Sequence, residues 1–242
     1  NNRTPQNEFI YRNLAEPIDI SDSEVLGFLT ETFPEMMSEK HGEAKSTLPY
    51  FEGYEYKNGK STYCGEEVGE GGNVYAEPGI YYNVALLDIM SMHPHSAMAE
   101  VIFGPRFTKV FKELVYARVA IKHKDWDTAS TMLDGRLAKY VAKIQNGEIK
   151  AKDLANALKI AINSVYGLTA ANFTNAFRDI RNVDNIVAKR GALFMVNLKR
   201  EVQKQGFTVA HIKTDSIKIP NATPEIIKFV YDYGKKFGYT FE

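Results

Sequence analysis

The stretch AHIKTDSIKIP, Ala210 to Pro220, carries two β-branched runs broken at Lys213-Thr214-Asp215-Ser216. Apolar residues alternating on both sides of a short polar break read as a hairpin, FTVAHIK turning into SIKIP. A two-strand hairpin is antiparallel by construction. The turn also leaves one carboxylate, Asp215, at a strand end beside two lysines.

Working outward, Thr223–Phe237 reads as a helix that opens on Thr-Pro-Glu, an N-cap followed by proline at the first position. YTFE then begins another strand. Upstream, residues 183–205 show helical periodicity closed by Gly206. Further helices are expected over Arg106–His123, over Thr128–Gln145 with Asn146-Gly147 as the stop, and over Lys152–Tyr166 ended by Gly167. VALLDIMSM, Val84–Met92, is an apolar run of strand length, as expected of a buried central strand. Phe51–Tyr82 is rich in Gly, Tyr and Glu and reads as short strands and turns, with Asn58-Gly59 as a hairpin tip. A helical pattern lies near Ser23–Ser38. Interspersed elements with an antiparallel final pair predict an α+β fold: an antiparallel sheet backed by helices, not a doubly wound sheet.

Bulk properties narrow the function classes. Lys+Arg and Asp+Glu both number 30, so the net charge is zero and any basic footprint for nucleic acid must be local. The single cysteine, Cys64, excludes an internal disulfide and fits a reducing compartment, hence a cytoplasmic location. No apolar run reaches the ~18 residues of a membrane span, so no membrane partner is expected. The chain starts Asn-Asn-Arg-Thr without Met, which reads as a piece of a longer protein.

Asp88, flanked by aliphatics in ALLDIM, and Asp215 each have an ordinary explanation, as a helix cap and as a turn residue. As a pair on adjacent strands they could hold two Mg²⁺ ions about 4 Å apart, one activating a hydroxyl and the other clamping phosphates. Magnesium needs only one or two carboxylates plus substrate phosphates. KIAINSVYG supplies a cationic partner: Lys159, Asn163 and Tyr166 fall at i, i+4 and i+7 on one helix face. Arg118 and Lys122, at i and i+4, form a second cationic stripe. Solvated helix faces explain the stripes equally simply, and a glycine-capped helix end explains NSVYG.

These residues resemble a known family. DIMSMHPHS, Asp88–Ser96, is similar to the first palm motif of family B DNA polymerases, D-x-x-S-L-Y-P-S. KIAINSVYG, Lys159–Gly167, matches their fingers motif K-x-x-x-N-S-x-Y-G at every fixed position. KTDS, Lys213–Ser216, resembles the third motif, D-T-D-S, in the right order, and EGGNVYAEPGIYYNVALLDI resembles the run before the first motif. The resemblance spans about residues 51 to 242. It implies a template-directed DNA polymerase using two Mg²⁺ ions, with Mn²⁺ as the substitute, and acting on primer–template DNA and dNTPs. Asp88, Asp215 and the Ile89 carbonyl would ligate the metals. Lys159, Arg118 and Lys122 would grip the triphosphate, and Asn163 and Tyr166 would line the nascent base pair. Backbone amides from Ser91 through Met92 to His93 would cradle phosphate oxygens. The lysines beside Asp215 would neutralise local acid or touch the primer backbone.

Two positions depart from the family pattern. Lys213 stands where the family has the first Asp of D-T-D. His93 stands where it has a tyrosine that excludes a 2′-hydroxyl by bulk, which puts ribonucleotide discrimination in question. His93 and His95 also spell His-x-His, but with no cysteine nearby zinc is not expected. The organisation implied is an N-terminal segment over 1–50, palm over 51–106, a short fingers insert over 107–167, and palm again over 168–242. Residues 1–50 show no exonuclease-type Asp-x-Glu, and DISDSEV, Asp19–Val25, reads as a helix start. Too little chain follows Asp215 for a thumb. The exonuclease and thumb are therefore expected elsewhere in the full-length enzyme, of phage or mobile-element type, and the 242-residue chain alone is expected to extend primers weakly or not at all. The alternatives are a degenerate palm serving as a nucleic-acid-binding module, and a two-metal nuclease.

Overall fold

The computed structural model describes residues 51–242 except 59, 70, 180, 181, 183 and 184. The Ser23–Ser38 helical pattern, the Asp19–Val25 helix start, the 1–50 segment and Gly59 of the Asn58-Gly59 tip lie outside the described residues. Among those described, the elements run β1 (Tyr54–Lys57), β2 (Lys60–Tyr63), β3 (Glu66–Glu67), β4 (Val74–Ala76), β5 (Val84–Asp88), α1 (Met92–Ala99), α2 (Gly104–Lys122), α3 (Trp126–Thr131), α4 (Ala138–Gln145), α5 (Ala151–Thr169), α6 (Ile186–Lys204), β6 (His211–Lys213), β7 (Ser216–Pro220) and α7 (Pro224–Lys236). The α+β expectation holds, with antiparallel sheets throughout.

The chain forms two compact units. One holds residues 51–100 and 185–242, and the other holds residues 101–182. The helical unit is thus longer at both ends than the 107–167 expected. Aromatic packing accounts for this: Phe103 meets Phe111 at 4.5 Å and Phe177 at 5.9 Å, which draws in both flanks.

In the first unit, four strands are ordered β4-β6-β7-β5, beside a small β1-β2-β3 sheet. Strand alternation sorts their side chains. Ile212, Ile217, Ile219, Leu87 and Ile89 point into a core shared with Phe194 and Leu198 of α6 and Ile226 and Val230 of α7. The other face of the sheet carries Asp88, Ser216 and Lys218. The chain's last residues add to β5 on its far edge, with Asp88 N–H donating to Glu242 C=O at 3.0 Å and Glu242 N–H returning to Asp88 C=O at 2.9 Å. β5 is therefore central, as expected. Yet Val84 and Leu86, on its uncovered face, are exposed.

α1 packs on α6 where Gly191 has no side chain, since a Cβ there would come within 2.6 Å of Met92 Cε. At the far end of α1, the Glu100 carboxylate accepts from Arg190 Nε at 2.9 Å, with both side chains buried. Arg190 also donates to Phe237 C=O at 3.1 Å.

Three expectations are corrected. The strand expected over Val84–Met92 ends at Asp88, because Ser91 turns left-handed at φ 56° and α1 begins at Met92. The helix expected over Thr128–Gln145 is two short helices. Leu133, Asp134 and Gly135 take left-handed φ in succession, and Leu133 N–H donates to Glu113 of α2 at 3.3 Å. Gly167 does not end α5, which continues to Thr169. Side chains serve that helix end instead, Asn175 Nδ2 donating to Leu168 C=O at 3.0 Å.

Candidate functional site

The hairpin turn is built from the backbone. Thr214 adopts φ 54°, and Asp215 N–H folds back to Lys213 C=O at 2.7 Å. The turn is pinned from the β4 side, where Thr214 N–H donates to Asn73 C=O at 2.9 Å. Gly72, at φ +154°, lies against the Thr214 side chain. These contacts fix where Asp215 sits.

Asp88 pairs directly with Ser216, the neighbour of Asp215, and Ile89 N–H donates to Asp215 C=O at 2.9 Å. The two acids, far apart in the chain, are thus one register step from opposite each other on hydrogen-bonded strands. Their Cα atoms are roughly 6 Å apart from the strand spacing and rise. Asp88 does not cap α1, because the N-cap position is Ser91.

Asp215 N–H turns back to Lys213 rather than returning a bond to Ile89 C=O, so that carbonyl faces the turn beside both acids. Two carboxylates and a carbonyl are hard oxygen donors, the set that suits Mg²⁺ completed by water and phosphate. Among the described residues no three His, Cys, Asp or Glu side chains gather to hold a metal by themselves. Only oxygen donors brought by substrate and water would complete such a shell.

The start of α1 lies beside this pair. His95 N–H donates to Ser91 C=O at 3.1 Å. Met92 is only 2% exposed and its side chain is core, so only its backbone can serve a ligand. Burial holds the half-buried His93 imidazole below its usual value, while the nearby Asp215 charge pulls it back up. His93 is therefore mostly neutral at neutral pH and within the electrostatic reach of Asp215.

The remaining predicted residues belong to the helical unit. On α5, Lys159 and Asn163 are exposed and Tyr166 is half-buried. Burial pushes the Tyr166 hydroxyl up, opposed by a hydrogen bond with Asn182. Asn182, itself buried, donates onward to Thr169 Oγ1. On α2, Arg118 is half-buried and Lys122 exposed. Ala117 and Ile121 beside them share one apolar cluster with Ala155 and Leu158 of α5. The first unit thus brings together Asp88, Ile89, Ser91, Met92, His93 and Asp215. The second carries Arg118, Lys122, Lys159, Asn163 and Tyr166.

Sequence reasoning missed Asn73 and Gly72 as supports of the turn, Asn182 behind Tyr166, and Glu242 across from Asp88. None has a local pattern that announces it; each is found only once distant strands or helix ends meet. No helix among the described residues is long and apolar enough to cross a membrane. Neither a protein-family model nor a curated protein matches this chain.

Proposed function

We propose that this chain is the palm and fingers core of a template-directed DNA polymerase that joins dNTPs to a primer 3′ end. The observation that supports it most is the register placing Asp88 beside Ser216 and Asp215. Bound Mg²⁺ would supply activation of the primer hydroxyl and neutralisation of charge on the phosphates. In this reading Asp88, Asp215 and the Ile89 carbonyl hold the metals. The Ser91–His93 backbone N–H groups orient phosphate oxygens at the start of α1, where the helix dipole favours anions. Lys159, with Arg118 and Lys122, binds the triphosphate as point charges and a planar fork. Asn163 and Tyr166 line the new base pair, and the His93 ring lies under the sugar. The exonuclease and thumb would be supplied by further parts of a longer, phage-type replicative enzyme working in the cytoplasm of its host.

The test is primer extension with Mg²⁺ by the intact protein. Asp88→Asn and Asp215→Asn are each expected to lower extension by at least 10³-fold, on the order of a lost transition-state charge contact, while DNA binding persists. Extension at near-normal rate by either variant sinks the proposal. Exposed Lys213, where the family has an acid, supports a second reading: a non-catalytic palm that binds nucleic acid. That reading gains if Mg²⁺ fails to tighten dNTP binding. Breakdown of labelled DNA without dNTPs would favour a two-metal nuclease instead.

A further inference from the structure

The uncovered face of the four-stranded sheet has its own pattern. Directly opposed residues of antiparallel strands point to the same side. One cross-strand row therefore reads Val74, Lys213, Ser216, Asp88, and the next reads Ala76, His211, Lys218, Leu86. The alternate rows, with Ile212 and Ile217, form the core. Two lysines and a histidine thus occupy the two middle strands of an open face. Apolar side chains border them, Val74 being 69% and Leu86 58% exposed.

Most lysines placed near an acid in this unit are paired: Lys57, Lys60, Lys199, Lys204 and Lys228 all form ion pairs. Among the described residues, Lys213 and Lys218 form none. In a chain of zero net charge, this concentrates positive potential on one face. Lys213 lies two strand spacings, about 10 Å, from Asp88. Lys218 lies on the diagonal, about 7–8 Å from Lys213. The strip is continuous with the carboxylate pair and leads away from it.

We propose that Lys213 and Lys218 form a phosphate-contacting strip that holds the nucleic-acid strand whose 3′ end lies at Asp88 and Asp215, with Val74 and Leu86 against its sugars. Regularly spaced anions and apolar sugar edges in one ligand match unpaired lysines bordered by exposed aliphatics. The identity of that strand as a primer rests on the polymerase reading; the strip itself does not need chemistry at the carboxylates.

The experiment measures binding of a fluorescent primer–template duplex to the intact protein, without divalent ions or nucleotides, from 50 to 200 mM salt. Each lost phosphate contact flattens the slope of log K against log salt by about 0.7–0.9. Lys213→Gln with Lys218→Gln is expected to flatten it by about 1.5 and weaken binding. Lys213→Gln alone should flatten it by about half that, and Lys213→Arg with Lys218→Arg should restore it. An unchanged slope in the double glutamine variant overturns the strip and leaves the polymerase reading standing if Mg²⁺-dependent extension survives. Tighter duplex binding by that variant also overturns the strip, since it would mean that an acidic segment of the chain occupies it. A wild-type protein that neither binds the duplex nor extends it sinks both.

Discussion

Gly72 is small for a reason that lies in Thr214. Its φ of +154° is one that L side chains rarely adopt, and a Cβ there would lie 2.9 Å from Thr214 Cγ2 and 3.0 Å from its Oγ1. Thr214 cannot retreat easily, because its own φ of 54° and its N–H bond to Asn73 C=O set the turn that carries Asp215. Gly72→Ala is therefore expected to cost about 1–3 kcal/mol through strain at a special backbone conformation. Gly71→Ala, where an added Cβ meets nothing within 4 Å, should stay within about 0.5 kcal/mol. Urea unfolding of the two variants makes the comparison. Equal midpoints would mean that the glycine pair is mere loop, and that the turn is held by the Thr214–Asn73 bond alone.

At the scale of elements, the end of α5 separates what the sequence could say from what it could not. A glycine after a helical run is the ordinary stop signal. Gly167 nonetheless lies inside the helix, outside the left-handed region, and a Cβ there meets nothing within 4 Å. Gly167→Ala is accordingly expected to stabilise the fold by about 0.5–1 kcal/mol, the helix-interior difference between the two residues; a cap glycine would give loss instead. A thermal melt decides it, read separately from activity because Gly167 follows Tyr166. The strands and hairpin were legible because period-2 apolar residues and the Lys213–Ser216 break are local signals. So were α7, announced by Thr223 and Pro224, and the stop at Gly206 after α6. The break between α3 and α4 was not, although Asp134-Gly135 is a turn dipeptide, because the apolar spacing around Leu133 and Leu137 imitates a helix. Among the candidate site residues, Asp88 and Asp215 stood out as acids in apolar surroundings. Their one-step register became visible only through long-range strand pairing. The supports from Asn73 and Asn182 come from tertiary contact alone.

At the scale of the molecule, the sheet's core face is as filled as its other face is bare, and the filling is aromatic. Tyr233 of α7 packs 5.7 Å from Phe194, 5.7 Å from Phe229 and 5.0 Å from Phe237, ring centre to ring centre. The same Phe194 lies in the core cluster behind Leu87 and Ile89, so this packing supports the strand that carries Asp88. Burial pushes the Tyr233 hydroxyl up to about 12, with the charges of Glu201 and Tyr63 adding to it. In the unfolded chain a tyrosine titrates near 10. Below about pH 10 the ring is neutral in both states and its contribution is whole. Between pH 10 and 12 the unfolded chain gives up its proton first, so stability falls as pH rises through that window. Tyr233→Phe keeps the ring and removes the titration. Its urea midpoint should therefore decline less than that of the wild type from pH 9 to 11, with the two converging at pH 8. Parallel declines across the whole range would show that the ring titrates as it does in water, and that the aromatic packing behind the Asp88 strand is looser than these contacts indicate.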